Sequence, residues 1–189
     1  MRRIADLQPQ PARQRRGGVM LWAIAGVPMA LAMLALVTDF GNLWLARVEL
    51  ENAVEAAALA GAQQWGDRAD DATNRTRAHN MAKAFGESNV VVGKLILVDS
   101  NDNNANTNNN ASPTGAVLLG QLTGETFHFN TPPAAVTERA CKVEVAYSLP
   151  SLWKFLGTFT VRASSAAAYN NATEGAGFPR LVRVTSTVP

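Results

Sequence analysis

The chain has few of the residue types that usually carry chemistry. It contains one cysteine, Cys141, and two histidines, His79 and His128, among 189 residues. A single cysteine excludes an intrachain disulfide, and neither histidine has a Cys, Asp or Glu neighbour at metal-ligand spacing. Nucleophile-elbow, phosphate-loop and paired-carboxylate patterns are also absent from the sequence. We therefore expect neither an enzyme nor a cofactor-binding protein.

Two features that resemble chemical sites have simpler explanations. In "ACKVEVAY", strict alternation places Cys141 on the same strand face as two valines, which favours a buried structural thiol over a reactive one. In the asparagine-rich segment, Asp99, Asn101 and Asn103 have the spacing of the first three ligands of a calcium loop. The sixth position of that loop lacks Gly and the twelfth lacks Glu. We therefore expect no metal site.

Charge is missing from one long stretch of the chain. Residues 17–38 are 22 consecutive uncharged residues, mostly Ala, Leu, Val and Met. This length spans a hydrocarbon core of about 30 Å at about 1.5 Å per residue, and a helix buried in a soluble domain rarely stays apolar on every face. A cleaved secretory signal is the alternative, but its A-x-A candidate at residues 30–32 lies inside the run. We favour an uncleaved transmembrane helix.

The basic tail before this run predicts its orientation. Residues 1–16 carry five arginines against one aspartate, whereas the whole chain has a formal net charge of +2. Arginines directly before an apolar run are the positive-inside signal, which predicts a cytoplasmic N-terminus. Because this signal explains the basic tail, we expect no nucleic-acid partner.

The helical pattern continues beyond the apolar run. Apolar positions in residues 39–65 recur at spacings of three and four, which predicts an extension helix that forms a stalk beyond the membrane. Small residues four apart form a smooth stripe that another backbone can approach closely. The stripe consists of two rows, which are Ala53, Ala57 and Gly61, and Val54, Ala58 and Ala62. Packing on the chain's own domain and packing on a partner helix both fit this pattern.

The remaining residues, 66–189, have the pattern of a small extracytoplasmic domain. A helix is expected over residues 73–85, followed by strands within residues 90–100, 116–119, 126–130, 140–148 and 159–169. The C-terminal tail is a candidate edge strand. The predicted fold class is α+β, with a long N-terminal transmembrane helix that continues into a stalk, followed by a small antiparallel-sheet domain of pilin-like shape.

The segment from Arg16 to Ala62 resembles the N-terminal segment of the TadG-like proteins of tight-adherence (Flp) pilus systems. The shared pattern is Arg-Gly, an apolar stretch with a proline, a D-x-G-x-x-x-x-A-R step and a Leu-x-Asn-Ala helix with an alanine-rich end. The matching residues are Arg16, Gly17, Pro28, Asp39, Gly41, Ala46, Arg47, Leu50, Asn52, Ala53 and 56–62. Glu55 stands where the family usually has Asp, so the charge is kept. A fainter likeness covers residues 143–169.

Two departures limit what the resemblance implies. Related small Tad proteins and type IV pilins have a glutamate as the fifth residue of the mature helix, and no glutamate occurs in residues 17–38. Larger TadG-like proteins carry a von Willebrand A domain with a D-x-S-x-S metal site, which this sequence lacks. Neither a major pilin nor metal-dependent adhesion is therefore implied.

The resemblance implies a structural or assembly component of a bacterial Tad pilus system, held in the inner membrane by one span, with its C-terminal domain in the periplasm. The implied partners are other pilus-assembly proteins, pseudopilins or a second copy, besides inner-membrane lipid. The expected helix-packing residues are Asp39, Gly41, Ala46, Arg47, Ala53, Ala57, Ala58 and Gly61. The alternatives are a membrane-tethered envelope binding or adhesion module whose surface includes residues 99–113, and a minor pilin within the filament.

Overall fold

The computed structural model describes residues 17–66, 71–98, 116–129, 138–153, 157–170 and 177–188. The basic tail (1–16) and the asparagine-rich segment (99–113) lie outside these ranges, and so do the expectations attached to them. The chain divides into two units, Met1–Thr38 and Asp39–Pro189.

Helix α1 spans Gly17–Trp65, so one helix contains both the apolar run and the extension predicted after it. Among the described residues, it is the one helix long and apolar enough to cross a membrane, and only 6% of its most apolar window is buried. A core helix of a soluble domain would be mostly buried. In the first unit, the Thr38 hydroxyl donates a 2.6 Å hydrogen bond to the Leu34 carbonyl oxygen, which satisfies this polar group within the helix.

Helix α2 spans Ala72–Glu87, which confirms the helix predicted over residues 73–85. Asp71 caps its N-terminus, because the Asp71 carboxylate accepts a 2.7 Å hydrogen bond from the backbone N–H of Asn74. One face of α2 carries small buried residues four apart, namely Ala78, Ala82 and Gly86. This row gives α2 a smooth face of the same kind as the stripe on α1.

The strands form a short hairpin and one larger sheet. The hairpin pairs β1 (Val90–Val91) with β2 (Lys94–Leu95). The larger sheet contains β3 (Val117–Thr123), β4 (Thr126–Phe129), β5 (Glu138–Pro150), β6 (Thr158–Asn170), β7 (Pro179–Val182) and β8 (Ser186–Val188). Its order is β7-β6-β5-β3-β4-β8. The predicted α+β class is confirmed, and the pairing is antiparallel except between β4 and β8, which are parallel.

The two edge strands of this sheet are close together in sequence. Only residues 183–185 separate β7 from β8, and these strands lie at opposite edges. Five strand spacings of about 4.8 Å amount to about 24 Å across a flat sheet, whereas the four steps from Val182 to Ser186 reach about 14 Å. The sheet must therefore curl strongly. Val182 and Val184 pack on the buried cluster on the outer face of the sheet, which includes Leu118 and Phe127.

The main core lies between the sheet, α1 and α2. It includes Leu50 and Val54 of α1, Ala78 of α2, and Val143 and Val145 of β5. Cys141 belongs to the same cluster and is fully buried, and burial raises the pKa of its thiol to about 12. The predicted buried structural thiol is confirmed.

Part of α1 and the long β5–β6 hairpin are matched in length. Arg139 at the start of β5 binds the backbone oxygen of Trp65, and Ser151, just after β5, binds Asp39. The 26 steps from Asp39 to Trp65 rise about 39 Å in a helix, and the 12 steps from Arg139 to Ser151 rise about 40 Å in a strand. Strand β5 therefore runs antiparallel to α1 over the whole of residues 39–65.

Gly61→Ala is expected to destabilise the second unit. An added Cβ would lie 2.5 Å from Cys141 Sγ and 3.0 Å from Ala82 Cβ, and overpacking of a core costs about 1–3 kcal/mol. This cost exceeds the roughly 0.5–1 kcal/mol by which alanine is favoured over glycine inside a helix. Thermal unfolding of the full-length protein in detergent micelles, followed by near-ultraviolet circular dichroism, should show a lower Tm.

Gly41→Ala is the matched control, because nothing lies within 4 Å of a Cβ added to this glycine of the same helix. It should leave the Tm unchanged or raise it slightly. Adding Cys141→Ala to Gly61→Ala removes the nearest clashing atom, so the double variant should lose less stability than the two single variants together. If the losses of stability in the two single variants simply add up in the double variant, the Cβ added at position 61 does not clash with the Cys141 thiol.

Candidate functional site

The alanine residues predicted to pack against a partner lie in the chain's own core. Ala46, Ala53, Ala57 and Ala58 are each 0% exposed and belong to the main core cluster. Gly61 is also buried, and its Cα lies so close to Cys141 of β5 that a Cβ would collide with the thiol. The structure therefore shows the stripe covered by the second unit itself, which is one of the two arrangements that the sequence pattern fits.

Helix α2 covers part of this stripe with its own small residues. A Cβ on Gly86 would lie 3.3 Å from the Cβ of Ala57, and a Cβ on Gly61 would lie 3.0 Å from the Cβ of Ala82. Two rows of small residues thus face each other, and they allow the two helix backbones to approach closely. The small-residue pattern often marks contacts between separate helices, and here both helices belong to one chain.

Two of the remaining three residues of the predicted set, Gly41 and Arg47, lie at the surface. Gly41 is exposed, with open space around it. Arg47 is exposed, and its Nε donates a 2.8 Å hydrogen bond to Glu51 Oε1 one turn later. An exposed pair of this kind contributes about 0.3–0.5 kcal/mol. These two residues remain accessible in the second unit.

Asp39 is buried, and its carboxylate holds the loop that joins β5 to β6. Asp39 is only 4% exposed. Its Oδ2 accepts a 2.6 Å hydrogen bond from the Ser151 hydroxyl, and its Oδ1 accepts a 2.9 Å hydrogen bond from the backbone N–H of Leu152. Hydrogen bonds to a carboxylate are stronger than those between neutral groups. Both carboxylate oxygens are thus used inside the chain.

The same loop is closed by a backbone contact. The N–H of Ser151 donates a 2.9 Å hydrogen bond to the carbonyl oxygen of Gly157. Gly157 has a φ of +80°, a conformation that glycine adopts without the steric cost of a Cβ. Ser151 therefore closes the loop through its backbone N–H and binds the loop to α1 through its hydroxyl.

A second carboxylate on α1 holds a second turn. Glu49 Oε2 accepts a 2.6 Å hydrogen bond from the backbone N–H of Val92, which has a φ of +49° between β1 and β2. The Tyr147 hydroxyl of β5 donates a 3.4 Å hydrogen bond to the carbonyl oxygen of Val91. A non-glycine residue in the left-handed region is strained, and these two contacts hold its turn from both sides.

The C-terminal end of α1 is capped by an arginine. Arg139 Nη1 donates a 3.2 Å hydrogen bond to the backbone oxygen of Trp65, and its guanidinium lies 5.5 Å from the centre of the Trp65 ring. A cation at a helix C-terminus interacts favourably with the unpaired carbonyl groups and the helix dipole. Residues 39–65 of α1 are therefore bound to the β5–β6 hairpin at both ends, through Asp39 at the start and Trp65 at the end.

Sequence reasoning missed four hydrogen bonds between elements, which involve Glu49, Ser151, Leu152 and Arg139. The sequence distances explain this, because Asp39 and Ser151 are 112 positions apart and Glu49 and Val92 are 43 apart. One signal was available for the loop. The segment "SLWKFL" is rich in apolar residues between two predicted strands, where turn residues are expected.

The described residues contain no group of three or more His, Cys, Asp or Glu that could hold a metal ion. His79 is buried in α2 and His128 is half-buried in β4. The surface of the described part of the chain includes a groove of about 640 Å³ between α1 and α2. Its lining includes Ala56, Leu59, Ala60, Gln63, Met81 and Phe85.

Asp39→Ala is expected to free the β5–β6 loop while the core stays folded. It removes both acceptors, and a buried donor without a partner costs about 1–3 kcal/mol. Amide hydrogen exchange at Leu152 in the full-length protein should accelerate about tenfold for every 1.4 kcal/mol lost, while amides in the middle of β5 keep their rates. Asp71→Ala, which removes a carboxylate cap on α2, should not change exchange at Leu152. An unchanged Leu152 rate in Asp39→Ala would show that the carboxylate does not hold the loop.

The similarity to a known protein family lies within α1. Residues 17–64 match the family model Tad, described as "Putative Flp pilus-assembly TadE/G-like", and this match covers 48 of the 189 residues. No curated protein and no solved structure matches the chain. The match begins at the first residue of α1 and ends one residue before its last. The resemblance stated from the sequence is therefore confirmed, because residues 17–64 are similar to the segment that the TadE/G-like family model describes.

Proposed function

We propose that the protein is a structural component of a bacterial Tad pilus-assembly system, anchored in the inner membrane by residues 17–38, with residues 39–189 in the periplasm. The match of residues 17–64 to the TadE/G-like family is the observation that carries this proposal. It covers the candidate membrane segment and also the part of α1 that forms the core of the second unit. The family segment thus supplies both an anchor and the centre of a folded domain.

The anchor is supported by exposure as well as by composition. The large apolar side chains of residues 19–37 are exposed in the described structure, including Trp22, Ile24, Leu31 and Val37. An exposed apolar surface of this extent is unfavourable in water and is the surface that a bilayer core covers. The arginine-rich tail before it supports a cytoplasmic N-terminus.

A structural role is proposed in preference to an enzymatic one. Two carboxylates of α1, those of Asp39 and Glu49, accept hydrogen bonds from backbone or hydroxyl groups of the same chain. They fasten loops to the helix, which is a use of carboxylates that needs no substrate. The single thiol, Cys141, is buried with a raised pKa, so its reactive thiolate form is disfavoured.

We assign contact with other pilus-assembly proteins to the groove between α1 and α2. The four α1 residues named in its lining belong to the TadE/G-like segment. Phe85 and Met81 of α2 are exposed there, beside the small side chains of Ala56 and Ala60. A groove in which small α1 side chains face large apolar α2 side chains, with Gln63 and Gln64 beside them, fits an amphipathic helix from a pilin or pseudopilin.

Fractionation of cells with a C-terminally tagged copy tests the proposal. Full-length protein confined to the inner membrane, with the tag protected in intact cells and accessible to protease once the outer membrane is opened, is the expected result. Protein in sheared surface filaments would indicate a minor pilin instead. A shortened form in the soluble fraction would show that the apolar run is a cleaved signal, and the anchor would be abandoned.

Ala60→Arg tests the groove. A long cation there should lower the yield of sheared pili when this copy replaces the native one, because a desolvated unpaired charge opposes helix docking. Asn80→Arg adds the same charge at an exposed position of α2 outside the groove lining, and it should leave the yield unchanged. Protection of Cys141 from a thiol reagent verifies folding of both variants. Normal pilus yield with folded Ala60→Arg would exclude this groove as the contact.

A further inference from the structure

The loop between β5 and β6 exposes two large apolar side chains. Leu152 is 55% exposed and Trp153 is 48% exposed. Single exposed apolar residues are normal on a protein surface, but these two are adjacent and directly follow Ser151, which is buried. Ser151 thus faces the protein, whereas Leu152 and Trp153 face outward. We call Leu152 and Trp153 the hairpin tip.

Asp39 determines where the hairpin tip lies along α1. The Ser151 hydroxyl and the Leu152 N–H both bind the Asp39 carboxylate. Asp39 directly follows Thr38, which is the last residue of the uncharged run. The hairpin tip is therefore fastened to the first residue beyond the segment that we propose to span the membrane.

The helix exposes aromatic side chains at the same level. Phe40 and Trp44 are 63% and 73% exposed, and residues four apart lie on one face of a helix. Both lie within about one and a half helical turns of Asp39. Tryptophan is enriched at membrane–water interfaces because its ring is largely apolar but carries one polar N–H group.

We propose that the hairpin tip is a second membrane contact, in which Leu152 and Trp153 insert into the boundary between lipid headgroups and acyl chains. This inference rests on the proposed membrane anchor, since the bilayer that residues 17–38 cross is the one that the tip contacts. The occupant is a lipid surface because both tip side chains are apolar, one of them is tryptophan, and the loop is bound to Asp39, the first residue after the apolar run. The contact should depend on burial of apolar area and little on lipid charge.

Quenching of tryptophan fluorescence by brominated lipid tests the inference. The full-length protein is reconstituted in phosphatidylcholine vesicles whose acyl chains carry bromine at carbons 6 and 7, close to the interface. The chain contains four tryptophans, so the contribution of one residue is obtained by comparison with its phenylalanine variant. Trp153→Phe should remove a clear part of the intensity that bromine quenches.

Two further variants make the comparison specific. Trp65→Phe removes a tryptophan that is 4% exposed in the core, so it should not change the intensity that bromine quenches. Trp22→Phe reports on the apolar run and should remove a quenched part. If the Trp22 contribution is quenched and the Trp153 contribution is not, the hairpin-tip contact is wrong and the anchor stands. If neither contribution is quenched, the anchor and the contact that rests on it both fail.

Leu152→Asp provides an independent test that keeps all four tryptophans. A charge in the headgroup–acyl boundary is unfavourable, so this variant should show less quenching by brominated lipid and more quenching by acrylamide from the water. Protection of Cys141 from a thiol reagent checks that the fold is intact. Identical quenching in Leu152→Asp and the unchanged protein, by both reagents, would overturn the proposed lipid contact.

Discussion

The alignment of residues 39–65 of α1 with strand β5 is the constraint on which the second unit depends. Strand β5 follows α1 for about 40 Å, with Arg139 bound to Trp65 at one end and Ser151 bound to Asp39 at the other. Shortening the strand by two residues would withdraw its end by about 6.6 Å, beyond hydrogen-bond reach. The Asp39 carboxylate would then be buried without donors, which is costly. Helix length and hairpin length are therefore coupled.

Close approach of α1 to its neighbours follows from the same constraint. At its alanine-rich end α1 packs on β5 and on α2 at once, and Gly61 there has no room even for a methyl group. The alanine-rich end of the TadE/G-like segment is thus a requirement of the interior. A smooth stripe does not distinguish contact between chains from contact within one chain, since both need the backbones to approach closely.

Local periodicity predicted the elements well, whereas the contacts between elements needed the structure. The 22-residue uncharged run, the helix after Asp71 and the alternation around Cys141 are patterns within short windows, and the structure confirms the helices and the buried thiol. Strand order, the parallel β4–β8 pair and the curl of the sheet depend on pairings across the chain. For the candidate site, the sequence indicated Asp39 as important but could not show its partner 112 residues later.

The Asp39 contact also affects which surfaces remain for assembly. A carboxylate at the end of an apolar run suggests, by itself, a charge available to a basic partner. Here both of its oxygens are occupied by Ser151 and Leu152, so a partner that used Asp39 would have to displace two hydrogen bonds and expose a buried group. Each lost bond to a charged group costs about 1.5–3 kcal/mol, which is large compared with a typical exposed ion pair. Contacts with other molecules are therefore better made by side chains that the fold leaves uncovered, namely the hairpin tip beside Asp39 and the groove between α1 and α2.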